Sequence, residues 1–314
     1  MAGLVELTYR LAVTARYLAI SRFICGAGGS VVRPWSRSAT QCDWVSTTGM
    51  IAPQTRDDIR RQVAEMNLLA RSGTLILAVH AIDRQPDVTT PTVELDLTDL
   101  FDGDNPFTRR QLTDPSGWQQ IIAPQLASAA RALEAYGPRR VHVTGSMRLP
   151  LWFAVGRALP DVRGWILSLN QRGQEWHTTP AVPVTPRILA EITVGQDSDL
   201  ALAIGLTHNP AADVDTYIRA TSLPIGELLV LGPEAEPGPR SVPGAAWAAG
   251  WTRAARESAR LAAARLGAQR IHLFIAAPAA IALMIGHHWN LMPATTLYEH
   301  APPRYLPTIE LSGT

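Results

Sequence analysis

The sequence predicts an α/β fold of two fused, Rossmann-like halves, each built on a mostly parallel sheet and related to the other by a pseudo-two-fold axis. Three observations predict it. From residue 74 onward, β-rich apolar runs alternate with helix-length runs, a pattern that requires crossover helices and parallel strands. The run Arg139-Arg140-Val141-His142-Val143, with a Gly-Ser turn and an apolar helix ending at Gly156, returns as Gln269-Arg270-Ile271-His272-Leu273, with a small-residue turn and an apolar helix ending at Gly286. The offset is 130 residues at Arg140/Arg270, His142/His272 and Gly156/Gly286 alike. An offset kept through strand, turn and helix marks an internal duplication. Finally, 314 residues, 46% of them hydrophobic, suffice for two modest cores.

Taken in order, residues 1–60 read as an N-terminal extension, too short for an independent enzyme domain. They hold a short amphipathic stretch, a Gly-Ala-Gly-Gly turn at residues 26–29 and a polar run ending near Met50. Residues 61–185 form the first half. Strands are expected at 74–82 and at 92–97, where Val93, Leu95 and Leu97 alternate inward. A helix is expected at 118–136, with Asp114 and Ser116 as capping candidates and Gly137 as its stop. The strand at 140–144, the helix at 150–159 and the strand at 164–169 complete this half. Residues 178–187 carry Pro180, Pro183 and Pro186 and read as a stiff linker. Residues 186–314 form the second half, with strands at 199–206, 226–231, 270–275 and 295–298 and helices at 213–220, 245–266 and 278–289.

Composition narrows the function. The formal net charge is +1, which argues against a face devoted to duplex nucleic acid. All 28 basic residues are arginines, so every cation is a planar fork suited to phosphate and base edges. Cys25 and Cys42 make neither a disulfide framework nor a zinc site, and a reduced, cytoplasmic protein is expected. The longest apolar candidate, residues 11–24, is broken by Arg16 and Arg22, so no membrane span is expected. The turn at 26–29 lacks the Lys-Ser/Thr of a P-loop, and neither a Gly-x-Gly-x-x-Gly fingerprint nor a Gly-x-Ser-x-Gly elbow occurs.

The stretch Ile271 to Gly286, followed by Leu297-Tyr298-Glu299 and Arg304-Tyr305-Leu306-Pro307, resembles the closing segment of the SAVED family. Val141 to Pro150, continuing through Gly156 to Asn170-Gln171 and Trp176, resembles its opening half. The resemblance spans residues 65–312 in the right order. It implies a fused pair of CARF-like units that bind a cyclic oligonucleotide of bacterial antiviral systems, CBASS or type III CRISPR. It also implies coupling to an effector and, on binding, head-to-tail assembly. Residues 1–60 match no effector. A separate effector subunit, or a remnant with Met50 as a candidate start, is therefore expected.

In open α/β sheets, ligands bind beyond the carboxyl ends of the strands, and two fused halves put two such edges together. A cyclic oligoadenylate needs donors for its phosphates, flat surfaces for its bases and side chains for its base edges. The candidates follow from position. Gly145, Ser146 and Arg148 form the turn of the first half, and Ala276, Ala277 and Pro278 its counterpart. Thr207, His208 and Asn209 follow the strand at 199–206, and His80 follows the one beginning at 74. Asn170, Gln171, Arg172 and Trp176 follow the strand at 164–169, with Trp176 as a stacking platform and Arg172 as a phosphate partner. Each also has a plain structural reading as turn, solvated loop or core. His142 and His272, inside strands, read as structural; Trp247 and Trp251 as core; His287-His288 as structural or solvated, since adjacent helical residues do not face each other. No catalytic motif, metal site or cofactor is expected. A binding module is the first reading, and a ring nuclease that positions a ribose 2′-hydroxyl in line with the phosphate is the alternative.

Overall fold

The computed structural model describes residues 41–46, 49–55, 73–84, 91–105, 108, 111–302 and 304–313. Most of the N-terminal extension, including the turn at 26–29 and the boundary near residue 60, lies outside the described residues. Its described part is an antiparallel strand pair, β1 (Gln41–Ser46) and β2 (Gly49–Thr55).

The first half is a five-stranded sheet of β3 (Thr74–His80), β4 (Val93–Asp96), β5 (Arg140–Ser146), β6 (Ile166–Gln171) and β7 (Gln174–His177), in the order β4-β3-β5-β6-β7. The second is a six-stranded sheet of β8 (Arg187–Thr193), β9 (Asp199–Gly205), β10 (Ile225–Gly232), β11 (Arg270–Ala276), β12 (Ala294–Ala301) and β13 (Arg304–Leu311), in the order β13-β12-β11-β9-β10-β8. Matching β3 with β9, β4 with β10 and β5–β7 with β11–β13 gives one strand order in both halves, with β8 as an extra edge. In each sheet the first four matched strands are parallel, and the last strand turns back antiparallel. The duplication read from the sequence is thus a duplication of topology.

Helices follow suit. α1 (Ala123–Glu134) and α2 (Leu149–Ala158) flank β5, α3 (Ala211–Thr221) joins β9 to β10, and α4 (Ala245–Leu266) and α5 (Ala279–His288) flank β11. The helix expected from residue 118 begins as a wide π-turn, Trp118–Ile122, before the α geometry takes over. Pro124, in its first turn, has no N–H to give the regular ladder. Gly137 ends the segment at φ +96°, as a stop glycine should.

The antiparallel edges β7, β8 and β13 were not expected as strands. β8 follows the 178–187 linker directly and pairs with β10. The linker lies on α4: Val182 N–H donates to the Ala246 carbonyl (3.0 Å), and a Cβ at Gly250 would fall 1.7 Å from the Val182 oxygen. α4 fits against its sheet through buried small residues such as Ala248, Ala255 and Ala259. Trp251 is fully buried and donates its indole N–H to the Gly232 carbonyl (3.1 Å), so the Trp247/Trp251 pair packs in the core.

The halves share one apolar core that contains α2 and α5 side by side. Their crossing is reciprocal. A Cβ on Gly156 would lie 2.0 Å from the Leu283 carbonyl oxygen, and one on Gly286 would lie 2.0 Å from that of Phe153. Phe153 and Leu283 are again 130 residues apart. The pseudo-two-fold axis therefore passes between two glycines whose missing side chains let the backbones touch.

Candidate ligand site at the joined strand edges

In each half the order reverses between the matched central strands, β3/β5 in the first and β9/β11 in the second, so each has a switch point there. The turns are alike in detail. Ala81 and Ile82 donate their N–H groups to the Ser146 carbonyl (2.9 and 3.0 Å), and Leu206 and Thr207 donate theirs to the Ala276 carbonyl (2.9 Å each). Both carboxyl edges meet on one side of the molecule. Gln171, at the end of β6, accepts from the Ala280 N–H at the start of α5 (3.3 Å). Arg172 donates to the Pro239 carbonyl (2.6 Å) in the loop between β10 and α4.

The opposite side of the α2–α5 pair is locked. His288 donates from Nδ1 to Asp161 (2.7 Å), Asn290 donates to the other Asp161 oxygen (2.7 Å), and Arg253 Nε lies 3.4 Å from His288 Nε2. His287, 1% exposed, donates to the Leu159 carbonyl, and burial, helped by neighbouring His288, pushes its pKa down to about 4. The adjacent histidines are thus structural, both reaching from α5 to the segment that follows α2 in the first half.

The expected site residues separate by what the structure does with them. Ser146, Arg148, Ala276, Ala277 and Pro278 lie at the two switch-point turns, with Arg148 and Pro278 as N-caps of α2 and α5. Gly145 is there too, but its φ of +120° and a would-be Cβ 1.9 Å from the Val79 oxygen show that it is glycine so that β5 can lie against β3. Thr207 is half-buried, and His208 and Asn209 are exposed beyond β9; the Thr207 hydroxyl meets His208 Nδ1 (3.3 Å), and Asn209 Oδ1 accepts from Ala211 N–H (3.1 Å) at the start of α3. Asn170 holds the β6–β7 turn by accepting from Gly173 N–H (2.9 Å).

Two candidates stand apart. Trp176 points into the shared core with 5% of its surface exposed, its Nε1 without a partner, so it packs there and presents no open face for stacking. Alternation explains it: β7 turns Glu175 and His177 outward and Trp176 inward. His80 is 2% exposed and lies on the outer face of its sheet, opposite Leu75, Leu77 and Val79; its Nε2 is 3.7 Å from Glu94 and its Nδ1 is unpartnered.

Sequence reasoning missed the loop at 233–244. The loop is held by Gly238 N–H and the Ser241 hydroxyl, both donating to the Leu206 carbonyl (2.9 and 2.6 Å), and a cavity of about 410 Å³ is lined by Ala235, Glu236, Gly238, Pro239, Arg240 and Ser241. Its signal was four prolines and two glycines in a long connection, a composition that marks a shaped loop. Among the described residues, no group of three or more His, Cys, Asp and Glu is placed to hold a metal ion, and no helix is long and apolar enough to cross a membrane.

Residues 118–311 match the family described as the SMODS-associated and fused to various effectors sensor domain, SAVED. A curated relative, CD-NTase-associated protein 4 of Enterobacter hormaechei, is 24% identical over 230 residues, 70% of this chain and 44% of the relative. The Acinetobacter baumannii Cap4 SAVED/CARF-domain receptor solved with the cyclic trinucleotide 3′3′3′-cAAA superposes with a TM-score of 0.63 at 19% identity, over 83% of this chain and 57% of that one. The same receptor with 2′3′3′-cAAA gives 0.62 at 20% identity (83% and 56%), and the Moraxella osloensis Cap4 receptor 0.56 at 18% (83% and 56%). The chain thus spans about half the length of these relatives, and the superpositions agree on the fold of two mostly parallel, CARF-like halves.

Proposed function

The chain belongs to the SAVED family, and from that we propose that it binds a cyclic oligonucleotide at the joined strand edges and serves as the sensor of a bacterial antiviral system of the CBASS kind. One observation carries the reading: two equivalent switch-point turns, Ala81-Ile82/Ser146 and Leu206-Thr207/Ala276, open on one side of the molecule. Arginine forks supply the phosphate chemistry, with Arg148 capping α2 and Arg172 on the β6–β7 turn. A ring-shaped ligand with several equivalent phosphates suits an edge with two equivalent turns. Relay to an effector, whether another subunit or a further part of a longer protein, ligand-driven head-to-tail assembly, and a cytoplasmic location complete the proposal.

The test is thermal melting of the chain against cyclic di-, tri- and tetranucleotides, with 3′3′3′-cAAA and 2′3′3′-cAAA as first probes. A ligand at about 100 times its Kd stabilises the fold by about 2.7 kcal/mol, a shift easily read. One saturable hit, recovered intact after long incubation, supports a sensor; a flat panel with folded protein overturns the reading. Arg148→Ala is expected to weaken the hit about tenfold, the lower range for a charge-assisted hydrogen bond. Unchanged affinity in a titration of this variant would remove the first half's turn from the site.

A further inference from the structure

The β6–β7 connection is a two-residue hairpin, Arg172-Gly173, with φ of +56° and +76°. Such turns favour Asn, Asp or Gly at the first position, because other side chains are strained at positive φ. An arginine stands there instead. Its guanidinium crosses from the first half to the second and donates to the Pro239 carbonyl at 2.6 Å, a contact that uses no charge on the acceptor.

The next residue, Arg240, is exposed and, among the described residues, has no hydrogen-bond or ion-pair partner. It lines the cavity of about 410 Å³ together with Ser241 and the Gly238 backbone. The one carboxylate in that lining, Glu236, is already paired with Arg187 at 2.9 Å. Two arginines, one from each half, are therefore brought to one loop, Arg172 at the Pro239 carbonyl and Arg240 one residue further on, with no anion assigned to them. An arginine beside a cavity without a carboxylate of its own sets up a field that an anion relieves, and a phosphate oxygen is a stronger acceptor for an arginine fork than a neutral carbonyl.

We propose that Arg172 and Arg240 form a clamp for one phosphodiester group of the ligand, and that Arg172 exchanges the Pro239 carbonyl for that phosphate when the ligand enters. The proposal rests on the sensor reading above and deepens it, because it names the residues that report occupancy. In the empty protein Arg172 ties the 233–244 loop to the first half. In the bound protein the ligand takes over that tie, while the anchors of Gly238 and Ser241 on Leu206 keep the loop at the edge.

The chain has no lysine, so trypsin cuts it only after arginine, and the Arg240–Ser241 bond is a cleavage site within the clamp itself. Limited trypsin digestion of the full chain, read by mass spectrometry as cleavage after Arg240 relative to cleavage after Arg219, tests both parts. Without ligand, Arg172→Ala is expected to raise relative cleavage after Arg240 at least threefold; an unchanged ratio overturns the tie. With saturating 3′3′3′-cAAA, the wild-type chain is expected to lose most cleavage after Arg240, and Arg240→Gln is expected to bind the same probe at least tenfold more weakly with an unaltered melting temperature in its absence. A probe that stabilises the wild type while leaving Arg240 open to trypsin, or that binds Arg240→Gln equally well, overturns the clamp. A probe that stabilises neither protein sinks the sensor reading instead, and the ligand-free digestion still decides the tie.

Discussion

Replacing Gly156 by alanine is expected to destabilise the protein by about 3 kcal/mol, the upper part of the range for a group forced into a filled core. Helix propensity alone predicts the opposite sign, since alanine in mid-helix is better than glycine by roughly 0.5–1 kcal/mol. The contact decides. A Cβ there would fall 2.0 Å from the Leu283 oxygen and 2.7 Å from the His287 nitrogen, and both are backbone atoms that no rotamer change can move. Relief requires α2 and α5 to part, which loosens the packing of Phe153 on Trp289 (rings 5.5 Å apart) and the layer around it. Gly286→Ala meets the mirror-image obstacle at Phe153 and is expected to cost about the same. The double variant should cost clearly less than the sum, because helices already parted by one methyl have room for the second. Urea midpoints at constant m-value measure all three. A stability gain in either single variant would mean that the helices do not touch at this crossing.

Those two glycines show what the sequence makes legible. Their offset, shared with the strand and turn before them, was readable, and it predicts one topology used twice. That they face each other was not, because a repeat says which residues are equivalent and not which copies touch. The parallel inner strands were readable from runs such as Leu200–Ile204, apolar on both faces because both faces are covered. The antiparallel edges were hidden for the converse reason. β7 has four residues, three of them exposed, and β8 alternates weakly, with Ile188 at 56% exposure.

The candidate site divides the same way. A fold rule placed Ser146, Arg148, Thr207 and Ala276 at strand ends without any motif. The side on which a side chain falls was decided by alternation, which sends Trp176 to the core and His80 to the outer face. Gly145 carried a functional reading, and the approach of β5 to Val79 now accounts for it. Arg240 could not be found at all, because Arg172, which donates to the carbonyl of the residue before it, comes from the other half, 68 residues earlier in the chain.

Acidification is expected to weaken the fold well before its carboxylates titrate. His287 lies at the locked side of the junction, and its folded pKa of about 4 stands below the ordinary 6.5 because burial disfavours the charged ring. Between those values the unfolded chain binds a proton there and the folded chain does not. Unfolding then takes up a proton, so stability falls as pH drops below about 6.5, by up to about 3 kcal/mol at pH 4. Above pH 7 the full stability remains. His272 adds in the same direction, since burial lowers its pKa in spite of the nearby Asp199. Asp161 does not act in this window: burial raises it, but the hydrogen bond from His288 leads the interactions that together outweigh burial and leave it below 3.8, so its contribution is lost only at lower pH. Urea midpoints at pH 7.5, 5.5 and 4.5 measure the slope. His287→Asn keeps an N–H donor for Leu159 and lacks a titrating group, and it should flatten most of the fall between pH 6.5 and 4. A wild-type chain equally stable at pH 7.5 and 4.5 would show that His287 is charged in the fold.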